Sequence, residues 1–119
     1  MADHNELGKE GEKQAVQFLQ KNGYRILQTN YVFQKAEIDI IAKIGNILAI
    51  IEVKTRSSTV YVLPQDFVNP KKIQLLVKAV NEYIIQNDLD VEARFDIIAI
   101  VKRGVEYDIE HLTDAFYHF

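Results

Sequence analysis

Asp39, Glu52 and Lys54 are residue types that could act on a phosphodiester, and they sit in two neighbouring β-rich runs, Glu37 to Lys43 and Ile47 to Thr55. The runs are separated by Gly45-Asn46, a hairpin signal. A two-residue loop sets Ile44 opposite Ile47, which puts Asp39 directly across from Glu52 and Glu37 across from Lys54. A four-residue loop would keep that register, and a bulge would break it. Side chains alternate along a strand. Ile38, Ile40, Ala42, Ile47, Ala49, Ile51 and Val53 therefore make an apolar core face. Glu37, Asp39, Glu52, Lys54 and Arg56 crowd one end of the other face. Carboxylates facing one another across strands repel, at a cost of about 0.2–1 kcal/mol. A design for stability alone avoids this. Hard oxygen ligands held together suit Mg²⁺ (or Mn²⁺), which binds through one or two carboxylates and keeps several waters. Lys54, on the same side as Glu52, could orient or deprotonate a water, or balance charge building up on a phosphate.

An isolated Glu-x-Lys is usually a solvated sheet edge, because motifs this short arise often. Glu12 strengthens the case for chemistry. It shares a helical stripe with Ala15, Val16 and Leu19, so it points partly into the domain, where a carboxylate needs a partner. Either it forms a salt bridge, with Arg25 a candidate, or it adds a third acidic group to a metal site. Arg56, and Lys72 near a helix start, could grip a phosphate. Solvated lysines beside an amphipathic face are the competing reading of Lys72. Asp96 lies in an apolar strand and reads as a structural partner of Arg94 or of a main-chain donor. His4, His111 and His118 have no metal-ligand spacing and read as non-catalytic.

These groups need a scaffold. The spacing predicts a helix from Glu6 to Asn22, closed by Asn22-Gly23. Gly8 and Gly11, poor helix formers one turn apart, imply close packing against that end. Strands follow over Tyr24 to Phe33 and over the two hairpin runs, then an irregular crossover over Ser57 to Val68. Asn69-Pro70 opens a second helix. Its apolar stripe is Ile73, Leu76, Val77, Val80 and Ile84, and it ends near Gln86. Arg94 to Lys102 is a strand buried on both faces. Glu106 to Glu110 adds an edge strand, and Leu112 to Phe116 a final turn. This order implies a mixed sheet with helices packed on it.

Composition sets the bounds. The 119 residues fit one domain over 1–119, and 48% hydrophobic content supplies a core without staples. The absence of cysteine excludes disulfides and thiolate metal sites and favours a cytoplasmic setting. The N-terminal residues lack the pattern of a secretion signal, and no apolar run is long enough to span a bilayer. A net charge of −3 argues against a general nucleic-acid coat. It leaves room for an enzyme whose divalent cation dominates the local field.

The ordered motifs resemble a known family. They are Gly8-x-x-Gly11-Glu12-x-x-Ala15-x-x-x-Leu19-x-x-x-Gly23-Tyr24, Asn30-Tyr31, Glu37-Ile38-Asp39-Ile40-Ile41-Ala42, Ile51-Glu52-Val53-Lys54-Thr55-Arg56, Pro70-x-Lys72, Arg94-Phe95-Asp96 and Ala115-Phe116. Together they are similar to the YraN-type uncharacterised protein family of the PD-(D/E)XK, restriction-endonuclease-like superfamily, related to archaeal Holliday-junction resolvases. The resemblance spans nearly the whole chain. Ala36 and Val62 depart from it, each standing where the family commonly has glycine. It implies a three-layer α/β fold with a central mixed sheet flanked by helices. Asp39 and Glu52 would be metal ligands, with the main-chain carbonyl of Val53 as a further one. Lys54 would be the catalytic lysine and Glu12 the acidic residue from the first helix. The expected function is Mg²⁺-dependent (or Mn²⁺-dependent) hydrolysis of phosphodiester bonds in DNA, with branched or damaged DNA as candidate substrates. A homodimer is a further expectation, since two sites are needed to cut two strands. The rival expectation is a non-catalytic nucleic-acid-binding or adaptor module that retains the nuclease fold.

Overall fold

A computed structural model of the chain describes residues 2–56 and 70–115, with side chains from Glu6 onward. The crossover expected over 57–68, the Asn69 cap, the His4 side chain, His118 and the Phe116 end of the last turn lie outside the described residues. The elements run α1 (Ala2–Lys21), β1 (Arg25–Phe33), β2 (Ala36–Ile44), β3 (Ile47–Arg56), α2 (Pro70–Gln86), β4 (Glu92–Arg103) and β5 (Glu106–Leu112). The strands form one sheet in the order β1-β2-β3-β4-β5. β3 and β4 are parallel and every other pair is antiparallel, so the sheet is mixed as expected.

A parallel β3–β4 pair needs a long crossover, and α2 is part of it. Its buried stripe, Ile73, Leu76, Ala79, Val80 and Tyr83, packs on Ile41, Leu48, Ile50, Phe95 and Ile97. Val77, expected in that stripe, is 39% exposed. It lies one position round the helix from Leu76, and Ala79 and Tyr83 fill the core instead. On the opposite face of the sheet, Ala15 and Leu19 of α1 pack on Ile40, Ala42, Ala49, Ile51, Ile98 and Ile100. The result is the three-layer α/β arrangement. Each large aliphatic side chain buried this way contributes about 1.5–3 kcal/mol. β2 and β3 thus bury apolar side chains on both faces, where strand alternation and the charges at the far end predict a core on one.

The hairpin register is the one the loop chemistry implies. Gly45 has φ 58° and Asn46 does not share the positive sign, the pattern of a type II′ turn with glycine first. Ile44 pairs Ile47, and the ladder continues to Ile40 opposite Ile51. There it ends. The expected Asp39–Glu52 and Glu37–Lys54 backbone pairs do not form. β2 separates from β3, and Ile38 joins Ala36 in the α2 core although Ile40 belongs to the α1 side. The β1 partner shows the same break. Tyr31 pairs Ile38 and Thr29 pairs Ile40, but Asn30, between them, has φ 53° and no partner in that ladder. Asp39 is thus missing from both ladders, while the register of β1 against β2 shifts elsewhere, between Ile26 and Gln28.

Among the described residues no helix is long and apolar enough to cross a membrane.

Candidate metal centre

The parting of β2 from β3 opens a cleft whose third wall is the start of α2. Its volume is about 400 Å³, and its lining includes Asp39, Glu52, Val53, Lys54 and Lys72 together with Lys35, Glu37 and Leu76. Four of the residues singled out by type, Asp39, Glu52, Lys54 and Lys72, therefore meet in one cavity. Glu12 and Arg56 are not part of its lining.

Asp39 is held by the main chain. The Val53 N–H donates to Asp39 Oδ2 at 2.8 Å, so a side chain replaces the strand partner lost where the ladder ends. A strand residue directs its N–H and C=O towards the same neighbour. The Val53 carbonyl thus also emerges on the β2 side, beyond the last ladder pair. Burial pushes the Asp39 carboxyl up from 3.8 to about 6, against the opposing Val53 bond and with help from the charges of Glu52, Glu12 and Glu37.

Glu52 follows Ile51 by one position and so projects to the α2 side. Its Oε1 accepts from Lys72 Nζ at 2.5 Å and lies 3.3 Å from Lys54 Nζ. Its Oε2 is buried and has no hydrogen-bond partner among the described residues. A buried carboxylate oxygen without a partner costs roughly 1–3 kcal/mol or more.

Glu12 arrives from the other layer. α1 can approach β3 because Gly11 has no side chain: a Cβ there would overlap the side chain of Thr55, its Oγ1 above all. The close packing inferred from the glycines is thus real at Gly11. At Gly8 a Cβ would meet nothing within 4 Å among the described residues. Glu12 Oε1 accepts from Asn30 Nδ2 at 2.8 Å, not from Arg25. Its charge still reaches Asp39. Asn30 stands in the motif, but its residue type alone points to no role. Asparagine tolerates the left-handed backbone it adopts here, which strand propensity does not signal.

Among the described residues no three His, Cys, Asp or Glu side chains stand together as a ready metal cluster. Two carboxylates nevertheless fit Mg²⁺ or Mn²⁺, which take hard oxygen donors and retain waters. Glu52 Oε2, without a partner among the described residues, and the crowded, half-buried Asp39 carboxyl are both groups that a divalent cation would satisfy. The residues present therefore fit such an ion.

Asp96, the fully buried acid among the described residues, has a different surrounding. It accepts from Arg94 Nε at 2.9 Å, from Arg94 Nη2 at 2.8 Å and from the Asp114 N–H at 3.0 Å. His111 Nε2 lies 2.8 Å from its Oδ2. Burial pushes its pKa up, but the bonds from His111, Arg94 and Asp114 outweigh burial and hold it below the usual value. Arg94 also donates to the Tyr24 hydroxyl at 2.6 Å. This is the structural pairing expected for Asp96, with His111 as an additional partner.

Comparison with known sequences comes down on one family. The profile of uncharacterised protein family UPF0102 matches residues 11–100, which contain the whole cleft. A UPF0102 protein of Flavobacterium psychrophilum is 69% identical over 119 residues, the full length of both chains. One from Christiangramia forsetii is 60% identical over 119 residues, again covering both chains completely. One from Phocaeicola vulgatus is 43% identical over 117 residues, covering 98% of this chain and 97% of its own.

Proposed function

This chain belongs to uncharacterised protein family UPF0102, the YraN-type family its motifs resemble; the family name carries no activity, and from the cleft itself we propose a divalent-metal-dependent nuclease that hydrolyses phosphodiester bonds in DNA. Branched and damaged DNA are the first substrates to test. One observation carries the reading: in the cleft it shares with Asp39, Glu52 keeps a buried oxygen with no partner among the described residues, while a lysine two residues along contacts its other oxygen.

Asp39 and Glu52, with the Val53 carbonyl, would hold Mg²⁺ or Mn²⁺. When bound, the cation supplies charge neutralisation at a phosphoryl oxygen and lowers the proton affinity of water. The remaining work falls to the chain. Val53 N–H fixes Oδ2 of Asp39 and so aims the carboxylate into the cleft. Glu52 Oε1 keeps the Lys54 ammonium at the cleft wall, where it can orient an attacking water and stabilise negative charge gathering on the phosphate. Glu12, reaching over through the Gly11 contact and held by Asn30, adds negative potential that favours the cation. Arg56, exposed at the end of β3, would meet a neighbouring phosphate rather than the reacting one.

The rival reading is an adaptor module that binds nucleic acid or protein without hydrolysis. The net charge of −3 and the absence of a three-carboxylate cluster among the described residues favour it. Incubation of branched and single-stranded DNA with Mg²⁺ or Mn²⁺, wild type beside Lys54→Ala, separates the two. Cleavage by the wild type that Lys54→Ala reduces by about 10²-fold or more supports the nuclease. Wild-type protein that binds DNA yet leaves every substrate intact supports the adaptor.

A further inference from the structure

The two oxygens of Glu52 have different surroundings. Oε1 accepts from Lys72 at 2.5 Å and contacts Lys54 at 3.3 Å, whereas Oε2 is buried without a partner among the described residues. The lysines also differ in origin. Lys54 belongs to the same strand as Glu52, while Lys72 reaches across the cleft from the third residue of α2. Its contact with Glu52 is the shorter one. With Asp39, Glu37 and Glu52 all lining the cleft, its ammonium occupies space that a cation would also favour.

A divalent cation on Glu52 Oε2 and Asp39 would lie within a few ångströms of that ammonium. Like charges at such range in a partly desolvated cleft repel strongly enough to change an affinity about tenfold or more. Glu52 cannot serve both fully. A lysine ammonium is a point charge on a flexible stem, and it exchanges a carboxylate for a phosphate without a geometric penalty.

We propose that Lys72 is an internal counter-ion of the metal centre: it neutralises Glu52 when no cation is bound, is released from Glu52 by an arriving divalent cation, and then binds a phosphate of the polynucleotide. Cation and phosphodiester binding are thereby coupled through one side chain, because each favours the same displaced position of the ammonium. This rests on the metal-centre reading above and adds to it a positioning residue on the opposite wall.

The test is calorimetric titration of Mn²⁺ into the full-length wild type, Lys72→Met, Lys72→Arg and Lys35→Met, without nucleic acid. Lys35 also lines the cleft, so its variant removes one positive charge without removing a contact to Glu52. Lys72→Met should bind Mn²⁺ about tenfold tighter than wild type, by the electrostatic reasoning above. Lys35→Met should change little. Lys72→Arg should bind more weakly, because a guanidinium forks onto both oxygens of a carboxylate and is harder to displace. In the wild type, Mg²⁺ should also speed the exchange of the Lys72 ammonium protons with water, read by NMR. Unchanged or weaker Mn²⁺ binding in Lys72→Met overturns the counter-ion role while leaving the metal centre intact. So does equal tightening in Lys35→Met, which would be a general charge effect. No Mn²⁺ binding in any of the four proteins overturns the metal centre and the counter-ion together.

Discussion

Replacing Asp39 by asparagine should stabilise the metal-free protein and weaken its response to metal. In the folded chain the Asp39 carboxyl is pushed up from 3.8 to about 6, by burial first and by Glu52, Glu12 and Glu37 after it. Between those two values the native state holds a proton that the unfolded chain has released. Stability therefore falls as pH rises from about 4 to about 6 and stays reduced above that. A rise from 3.8 to about 6 corresponds to at most about 3 kcal/mol, and water entering the cleft trims this to about 1–2 kcal/mol. The asparagine side chain carries no charge, and its Oδ1 can still accept from the Val53 N–H. Urea denaturation in chelator should thus find Asp39→Asn more stable by about 1–2 kcal/mol at pH 8, with the two proteins converging near pH 4. Saturating Mg²⁺ should reverse the order at pH 8, since ligand at 100 times its Kd adds about 2.7 kcal/mol to whichever protein binds it. A variant less stable than wild type at pH 8 in chelator would refute the reasoning. It would mean that the carboxylate serves a structural bond and not a cation.

Other positions offer independent checks. Gly11→Ala should destabilise by about 1–3 kcal/mol despite the better helix propensity of alanine, because its Cβ collides with Thr55. Adding Thr55→Ala should recover part of that loss in a double-mutant cycle, and full additivity would refute the contact. Asn30→Ala should cost about 1–2 kcal/mol for the left-handed backbone, measured by thermal melting. Asn30→Gly should keep stability near wild type yet lose Mn²⁺ affinity, since it frees Glu12 alone. Asp96→Asn should cost about 3–5 kcal/mol by leaving Arg94 without its buried counter-charge. Because the Asp96 pKa is lowered, its contribution is present above the ordinary carboxylate value and is lost as pH falls through the folded one. A flat acid limb in Asp96→Asn compared with wild type is the readout.

Much of this is legible because local chemistry and tertiary packing agree. Gly45-Asn46 specifies the turn, the turn specifies the register, and the register carries Asp39 and Glu52 to the walls of one cleft, where β2 parts from β3. Pro70 and the spacing of Ile73, Leu76 and Val80 mark α2 equally well. What escapes the sequence depends on departures from regular geometry. Alternation along a strand assumes a continuous ladder, and β2 joins the β3 ladder only after Asp39. A rule of alternate faces therefore misassigns Ile38 and pairs Asp39 with Glu52 through backbone contacts that do not form. The partner of Glu12 is hidden because it depends on Asn30 adopting a positive φ inside a strand, which no propensity indicates. Lys72 reads from its helix start as a phosphate ligand, and its contact with Glu52 crosses between elements 20 positions apart, a separation at which pattern says nothing. Gly8 and Gly11 read alike in sequence. In the fold a Cβ on Gly11 would meet Thr55 of β3, whereas one on Gly8 would meet none of the described residues within 4 Å.

Crystals soaked in Mn²⁺ and measured at its absorption edge address the metal centre most directly. An anomalous peak should lie between the Asp39 carboxylate and Oε2 of Glu52, within about 2.0–2.6 Å of oxygens from both. Lys72 should have moved off Glu52 in the same crystal. A fully soaked crystal with no peak in the cleft, or with manganese bound only elsewhere on the protein, would contradict the account.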